Sequence, residues 1–319
     1  MRFYFAPLEG ITGFAYRNVH RALFPGMDAY YAPFISAKQT HVLETKEKKD
    51  VAPENNEALH LIPQIMANKA ADFNWAANEL KARGYEVVNL NLGCPMPTIV
   101  TKRKGSGMLS DLDALDAFLT EIFDHAQNGG PRISIKTRLG KDDLTDACKI
   151  IELYNKFPLD ELIIHPRCQK DLYKVGVHLD AFDDCIRLTK HRVCYNGDIF
   201  TKADYDALKA RFFDIYPQIE AVMLARGIIA NPALQREIAG GSRLTKQELR
   251  AYHDELYKSY EAQNLGLSPQ LHRMKELWFY IGPLFKDGDK LVHKIRIAKT
   301  IEQYRPAVER LFNNCEIGG

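Results

Sequence analysis

The residue of this sequence best placed for chemistry is a thiol on a sharp turn. Cys94 lies between Gly93 and Pro95, shortly after the apolar run Val87-Val88. Glycine permits tight turning and proline restricts the φ angle that follows, so we expect Cys94 on a rigid corner. A buried loop cysteine acting as a small apolar side chain is the alternative, and position alone leaves both open.

Residues that could contact a ligand stand at the ends of most of the apolar runs. They are Pro7 after the first run, Gln64 in the third, Asn91 and Cys94 after the fourth, Lys136 and Arg138 at the fifth, His165 at the sixth, Asn196 at the seventh and Arg226 at the eighth. Each alone could be a strand end that faces water. Lys136 would place a cation beside a bound ligand, which suits a flavin or, alternatively, a Schiff base.

Short apolar runs closed by turn residues predict eight strands. They lie at 2–6, 28–33, 59–66, 87–91, 132–137, 161–165, 192–196 and 221–225, and helical segments lie between them at 70–83, 114–126, 143–157, 181–190 and 202–211. This alternation predicts an α/β fold, the (β/α)8 TIM barrel, whereas the strand count disfavours a doubly wound sheet. In such a barrel the polar strand ends would converge at one mouth.

The seventh and eighth strand ends carry residues suited to phosphate. Asn196-Gly197-Asp198-Ile199 and Ala225-Arg226-Gly227 each join a glycine to a polar group after a strand. Barrels commonly bind phosphate with these two loops, through backbone N–H groups and a short helix N-terminus. We therefore expect an anion site there.

Composition excludes several classes of protein. The chain has 319 residues, of which 46% are hydrophobic and 26% charged, as in a large globular domain with a smaller one. No run approaches the roughly 18 apolar residues of a membrane span, so a soluble, cytoplasmic protein is expected. The six cysteines show neither CxxC pairs nor zinc spacing, which predicts reduced thiols and no metal.

In order along the chain, these residues resemble the tRNA-dihydrouridine synthase family. The resemblance rests on Ala6-Pro7-Leu8-Glu9-Gly10, Gln64, Asn89-Leu90-Asn91-Leu92-Gly93-Cys94-Pro95, Gly105-Ser106-Gly107-Met108-Leu109, Lys136-Thr137-Arg138-Leu139-Gly140, His165-Pro166-Arg167, Tyr173, Asn196-Gly197-Asp198-Ile199 and Met223-Leu224-Ala225-Arg226-Gly227. Weaker similarity reaches His272-Arg273-Met274-Lys275. It implies an FMN-binding catalytic TIM barrel at 1–238 and an all-helical tRNA-binding domain at 239–319.

The resemblance implies reduction of uridine to 5,6-dihydrouridine in the tRNA D loop, with FMN bound and NADPH as reductant. Hydride would reach uracil C6 from the flavin, and Cys94 would protonate C5. An unperturbed thiol has a pKa of about 8.5, so it is mainly protonated at neutral pH and can act as a general acid. A monomer that contacts tRNA, but no membrane and no metal, is expected.

Carried over residue by residue, the resemblance implies three groups of contacts. Pro7, Leu8, Glu9, Gln64, Lys136 and His165 would meet the flavin; Asn196, Gly197, Asp198, Ala225 and Arg226 would hold its phosphate end; Asn91, Arg138 and Tyr173 would meet uracil. The chain departs from the pattern at Ala225, where glycine is more usual, and at Cys168 with Lys170-Asp171-Leu172. Those departures put the backbone approach to phosphate and the local loop contacts in question.

Two basic surfaces are candidates for RNA contact. Lys102-Arg103-Lys104 follows the reactive thiol closely, and a basic run there would attract phosphates to the barrel mouth. Near the C-terminus, Lys290, His293 and Lys294 share one helical face with Arg296 at its edge, opposite Leu291, Ile295 and Ala298. A solvated loop and an ordinary amphipathic helix would produce the same patterns.

Three other functions fit part of this pattern. An FMN barrel acting on a free metabolite, like a dihydroorotate dehydrogenase or an ene-reductase, would have no use for the C-terminal helices. A flavin-free aldolase would use Lys136 as a Schiff base. A tRNA-binding module without enzymatic activity would not need the residues of the catalytic pattern.

Overall fold

The computed structural model describes residues 1–264 and 266–318. Within them, ten strands form one parallel sheet. They are β1 (Arg2–Phe5), β2 (Ala29–Tyr31), β3 (Ile35–Ser36), β4 (Leu61–Ile62), β5 (Gln64–Met66), β6 (Val87–Leu92), β7 (Arg132–Arg138), β8 (Leu162–His165), β9 (Val193–Tyr195) and β10 (Ile219–Leu224). The order across the sheet is β3-β5-β6-β7-β8-β9-β10-β1-β2-β4.

The sheet closes into a barrel with eight strand positions. β2 and β3 belong to one position interrupted at Pro33, and β4 and β5 to another interrupted at Pro63, because proline supplies no N–H to the ladder. β2 pairs with β4 and β3 with β5, which joins the two ends of the order. The predicted TIM barrel is confirmed.

Helices follow the strands and cover the barrel. They are α1 (Phe14–Leu23), α2 (Thr45–Asp50), α3 (Ala70–Ala82), α4 (Pro97–Val100), α5 (Leu112–Gln127), α6 (Ala147–Tyr154), α7 (Leu179–Leu188), α8 (Lys202–Leu208), α9 (Arg226–Ala230), α10 (Leu234–Ile238), α11 (Lys246–Glu261), α12 (Leu267–Ile281), α13 (Asp289–Ile297) and α14 (Ile301–Asn314). Short 3₁₀ turns lie at Pro53–Asn55, Gly105–Ser110 and Gly282–Leu284, and a π-helical turn at Lys209–Phe213.

Local sequence explains where the helices begin. In α5, Asp111 caps the first turn by accepting from the Ala114 N–H, and the buried stripe from Leu115 to Phe123 has helical spacing. The segment predicted at 143–157 is helical only over Ala147–Tyr154. Its first residues form a turn instead, in which the Asp143 carboxylate accepts from the Thr145 N–H.

The protein has two hydrophobic cores, one inside the barrel and one between the sheet and the surrounding helices. The lumen packs the inward-facing residues Tyr4, Ala6, Ala29, Tyr31, Ile62, Ile163, Cys194, Ala221 and Met223. At its floor, Tyr4 donates to Glu161 at 3.0 Å and Arg2 donates to the same carboxylate at 3.3 Å. Since the floor is filled, the lumen meets solvent at the end where the strands terminate.

The last four helices are α11 to α14, and α11 packs against the barrel helix α1 through aromatic side chains. Tyr252 of α11 lies edge-on to Tyr16 at 5.8 Å and to Phe24 at 5.5 Å, and it contacts His20 as well. Tyr252 is only 2% exposed, so this contact is a dry interface. None of the helices in the described part of the chain is long and apolar enough to cross a membrane.

Replacing Tyr252 with alanine tests how much this interface stabilises the fold. The cavity left by a buried aromatic ring should lower the free energy of unfolding by about 3–5 kcal/mol. Ile215→Ala is the control, because that side chain is 59% exposed, and it should cost less than about 1 kcal/mol. Urea titration followed by circular dichroism measures both, and equal losses would contradict the interface as described.

Candidate functional site

The Cys94 corner is held by the side chain of Asn91. β6 ends at Leu92, and the Asn91 Oδ1 accepts the backbone N–H of Gly93 at 3.0 Å and that of Cys94 at 2.9 Å. Asparagine commonly closes turns in this way, by bonding the backbone two and three residues ahead. The turn that ends the strand is therefore set by one carboxamide.

A chain of buried side-chain hydrogen bonds extends from Asn91 across three strands. The Asn91 Nδ2 donates to Gln64 Oε1 at 2.7 Å, the Gln64 Nε2 donates to Asn89 Oδ1 at 2.7 Å, and the Asn89 Nδ2 donates to Ser134 Oγ at 2.9 Å. Since Asn91 Oδ1 must face two N–H groups, the orientation of each following amide is fixed. We call these four residues the amide relay.

Two members of the amide relay, Asn89 and Ser134, were not among the sequence-predicted site residues. Asn89 and Ser134 are 0% and 1% exposed, and they pair in register on adjacent strands. The signal that could have found Asn89 is its spacing, since residues 89 and 91 of a strand share one face. A polar residue on that inward face needs a partner.

The thiol of Cys94 is partly exposed and stays protonated at neutral pH. Burial raises its pKa above the ordinary value, and the Met96 backbone N–H with the charges of Arg138 and Lys136 offsets only part of that increase. A protonated thiol can donate a proton and is a poor nucleophile.

Arg138, predicted to meet substrate, is buried and donates to backbone carbonyls. Its Nε donates to the Gly93 carbonyl at 3.1 Å, its Nη1 to that of Cys168 at 2.6 Å and its Nη2 to that of Leu172 at 3.1 Å. The guanidinium thus ties the Cys94 turn to the loop where the sequence departs from the family pattern. Within that loop, Asp171 accepts from the Cys168 N–H at 2.7 Å.

A cleft opens at the mouth of the barrel, and its empty space, part of which is continuous with solvent, is about 550 Å³. Lys136 in its wall pairs in register with Asn91, which holds the Cys94 corner. The lining of the cleft comes from the strand ends and from two loops: Ala6, Pro7, Leu8, Lys136, His165, Tyr173, Asn196, Gly197, Asp198, Ile199, Phe200, Met223, Leu224, Ala225, Arg226 and Gly227.

Lys136 presents an unpaired ammonium group in this cleft. Within residues 1–264 and 266–318, its Nζ has no hydrogen-bond acceptor and no carboxylate partner. Burial lowers the pKa of Lys136 to about 8, and the positive charge of Arg138 contributes. A partly buried cation without a protein partner has lost part of its hydration, and an anionic or electron-rich ligand would compensate that loss.

His165 is neutral and carries its proton on Nδ1. Burial, followed by the charges of Lys136 and Arg138, lowers its pKa well below the ordinary value. Its Nε2 lies 3.1 Å from Arg167 Nη1, and because a guanidinium can only donate, Nε2 must accept. The assigned tautomer leaves Nδ1–H as a donor for a ligand in the cleft.

Arg167, which the sequence predictions left out of the site, also shares a carboxylate with Arg226. Arg167 donates to both oxygens of Asp198, one of them at 3.0 Å, and Arg226 donates to Asp198 Oδ1 at 2.6 Å. Although burial opposes ionisation, these arginines lower the pKa of Asp198. Two cations and one anion leave a net charge of +1 at the predicted phosphate end.

Aromatic rings and glycines shape the same end of the cleft. The Arg226 guanidinium lies 4.3 Å from the Tyr173 ring and 5.4 Å from the Phe200 ring. A Cβ on Gly197 would lie 2.9 Å from Tyr195 Oη, and a Cβ on Gly227 would clash with the backbone of Ile199. These two glycines are required by close packing.

Residues on the last two strands complete the end of the cleft. The Asn196 Nδ2 donates to the Met223 carbonyl at 2.9 Å, which joins the ends of β9 and β10. Ala225, where glycine is more usual, is partly buried and packs against the lumen residues. Its methyl group therefore fills space at the top of the lumen.

Three predicted contacts lie apart from the cleft or are engaged elsewhere. Glu9 lies outside the lining and pairs with Lys46 at 2.6 Å. Gln64 also lies outside it, within the amide relay. Lys104 donates to the Ala37 carbonyl at 2.8 Å and is half-buried, so it anchors its loop.

The remaining predicted RNA contacts lie on the surface to different extents. Lys102 and Arg103 are exposed on the loop after Cys94, and Lys294 is exposed on α13. Arg296 is half-buried, with its guanidinium stacked 3.6 Å from the Phe279 ring. In the described chain, no group of three or more His, Cys, Asp or Glu side chains is arranged to hold a metal ion.

The family model and the curated relatives that match this chain carry the same description, dihydrouridine synthase. The family model described as dihydrouridine synthase matches residues 4–277. A probable tRNA-dihydrouridine synthase of Staphylococcus aureus (strain COL) is 24% identical over 315 residues, covering 96% of this chain and 92% of the relative. A probable tRNA-dihydrouridine synthase 2 of Bacillus subtilis (strain 168) is also 24% identical, covering 96% and 93%.

A solved structure of a variant of NCR from Zymomonas mobilis aligns with a TM-score of 0.52 at 13% identity. The alignment covers 79% of this chain and 90% of that one. At this identity the likeness concerns the fold alone.

The unpaired ammonium of Lys136 makes a prediction about stability. In ligand-free protein, Lys136→Met should raise the free energy of unfolding at pH 7 by roughly 1–2 kcal/mol, because it removes a partly desolvated charge that has no protein partner. The folded pKa of about 8 lies below that of an unfolded lysine, so the penalty is full below pH 8 and fades as the pH rises towards about 10.4. The gain should therefore be smaller at pH 9.5 than at pH 7.

Urea titration at both pH values measures this gain. Lys190→Met is the control, because Lys190 is exposed at the opposite end of the barrel, and it should change stability little at either pH. A Lys136→Met variant less stable than the wild type at pH 7 would refute the uncompensated charge.

Proposed function

Since the chain belongs to the dihydrouridine synthase family, whose members are oxidoreductases acting on CH–CH groups, we propose that it reduces uridine to 5,6-dihydrouridine in the D loop of tRNA. FMN is the bound cofactor in this proposal and NADPH the reductant. One observation supports the proposal most directly. The protonated thiol of Cys94 and the unpaired ammonium group of Lys136 lie at the same barrel mouth.

The residues present fit FMN. Pro7 and Leu8 offer apolar contact for the ring system, while the Lys136 ammonium and the His165 Nδ1–H offer donors to its polar edge. FMN supplies hydride transfer when bound, and a cation near the ring favours its reduced, more negative form. We leave Glu9 out of this set because it pairs with Lys46, and we assign Gln64 to orienting Asn91.

The phosphate end of the cofactor is assigned to the loops after β9 and β10. Asn196, Gly197, Asp198, Ala225 and Arg226 line the cleft there, and the cluster of Asp198 with its two arginines has a net positive charge. Asp198 orients Arg226 without neutralising the cluster. A phosphate dianion would be attracted to the remaining charge.

Cys94 is the general acid in this proposal, giving its Sγ proton to uracil C5. The raised pKa keeps that proton on sulfur at neutral pH, so no activation of the thiol is needed. Asn91 has a second Nδ2 hydrogen, besides the one given to Gln64, with which to bind a uracil carbonyl. Tyr173 offers an exposed ring for stacking, while Arg138 acts by holding the Cys94 turn.

The tRNA would contact both parts of the chain. We assign residues 1–238 to the catalytic barrel and 239–319 to a helical tRNA-binding domain of a cytoplasmic monomer. A uracil stacked in folded tRNA must be extruded to reach the barrel mouth, at a cost of a few kcal/mol. The exposed cations Lys102, Arg103 and Lys294 would bind the phosphates around it.

Cys94→Ala tests the function directly. We expect the purified variant to retain FMN and its reduction by NADPH, but to form dihydrouridine about 10²–10⁴ times more slowly, because the C5 proton has no donor. Mass spectrometry of tRNA from a strain lacking this protein, after incubation, measures the product. Cys148→Ala is the control, since that thiol lies on α6, and wild-type product formation by Cys94→Ala would refute the assignment.

The C-terminal assignment is tested at α13. Lys290→Ala combined with Lys294→Ala should raise the KM for tRNA severalfold and reduce the salt dependence of binding, because two phosphate contacts are lost. NADPH oxidation without tRNA should stay at the wild-type rate. Lys190→Ala, at the other end of the barrel, should leave the KM unchanged; an equal effect of both substitutions would argue against a tRNA-binding surface on α13.

A further inference from the structure

The carbonyl of Cys94 receives two hydrogen bonds from one residue outside the amide relay. The backbone N–H of Ser106 donates to it at 3.1 Å, and the Ser106 Oγ donates at 2.8 Å. Ser106 is 0% exposed and lies in the 3₁₀ turn Gly105–Ser110. A carbonyl oxygen has two lone pairs, so both are used by this serine.

The backbone before Ser106 runs directly against the Cys94 corner. Gly105 has a φ of +56°, and a Cβ there would lie 2.8 Å from the Cys94 carbonyl oxygen and 3.0 Å from the Cys94 Cβ. Only glycine allows this approach. The loop from 95 to 104 therefore begins and ends next to Cys94, and the hydrogen bonds of Ser106 to the Cys94 carbonyl hold its two ends together.

We propose that Ser106 is a positioning residue for the thiol of Cys94. Asn91 holds the N–H of Cys94 and Ser106 holds its carbonyl, so the peptide groups on both sides of its Cα are fixed. The direction of the Cα–Cβ bond is then set, and rotation about that bond is the only freedom left to Sγ. The inference rests on the proposed role of Cys94 as the proton donor.

The second hydrogen bond of Ser106 matters because the Cys94 carbonyl lies at the start of a loop. With the hydroxyl removed, a single N–H bond remains, and the peptide between Cys94 and Pro95 can rock about it. A general acid must stay within hydrogen-bond reach of the atom it protonates, and misplacement by about 1 Å costs up to about a hundredfold in rate. The effect should fall on proton transfer and spare flavin reduction.

Ser106→Ala tests this role, with Ser110→Ala as the matched control. Ser110 lies in the same turn and its Oγ also donates to a backbone carbonyl, that of Gly107 at 2.9 Å, but it does not touch Cys94. Alanine is no larger than serine and the backbone N–H bond stays, so Ser106→Ala should fold, which FMN content and the urea midpoint verify.

Two readouts are compared in the FMN-loaded enzyme. In stopped-flow measurements, Ser106→Ala should slow reoxidation of the reduced enzyme by tRNA by about tenfold or more, while reduction by NADPH stays within about twofold of wild type. The rate of Cys94 alkylation by iodoacetamide, followed by peptide mapping from pH 6 to pH 10, should change severalfold. Ser110→Ala should change neither.

The outcomes separate this inference from the proposed function. If Ser106→Ala leaves both the alkylation profile and the tRNA-dependent step within about twofold of wild type, Ser106 is not a positioning residue. If Ser106→Ala changes the alkylation profile but Cys94→Ala still makes dihydrouridine, Ser106 does position the thiol, and Cys94 is not the proton donor. Equal slowing of reduction by NADPH and reoxidation by tRNA would also overturn the inference, because a general loss of structure explains it.

Discussion

Closure of the parallel barrel is the constraint on which the rest of the structure depends. β1 hydrogen-bonds to β10 on one edge and to β2 on the other, so every strand runs in the same direction around the lumen. All the strand ends therefore meet at one mouth. Because Tyr4 and Glu161 fill the opposite end, the polar side chains near the strand ends have a single route to solvent and ligand.

Within that mouth, hydrogen bonds fix the backbone around Cys94, and charged side chains set the electrostatics of the cleft. The neutral amide relay sets the N–H side of the Cys94 corner, and the guanidinium of Arg138 ties the same turn to the neighbouring loop. Burial and, after it, the neighbouring cations keep His165 neutral and lower the pKa of Lys136, whose ammonium has no acceptor in the described chain. A surplus of positive charge at a concave site also attracts an anionic ligand.

The fold was predictable in most of its parts, and the exceptions have local causes. The eight apolar runs form strands because the signals that predict a strand, apolar side chains closed by turn residues, lie within a few positions of one another. Pro33 and Pro63 interrupt two of these strands. The hydrogen bonds of Arg138 and Lys104 were not predictable in the same way. Their partners are carbonyls 30 and 67 residues away, and nothing in the sequence near either cation indicates those carbonyls.

The sequence by itself determined which residues lie at the strand ends, because side-chain alternation and chain direction are local properties of a strand. It also placed Cys94 on a turn, since Gly93 and Pro95 restrict the backbone there. Only the tertiary structure decided which side-chain N–H donors face the cleft and which donate to backbone carbonyls instead. That choice depends on barrel closure, which brings Gly93, Cys168 and Leu172 around one guanidinium and Ser106 against the carbonyl of Cys94.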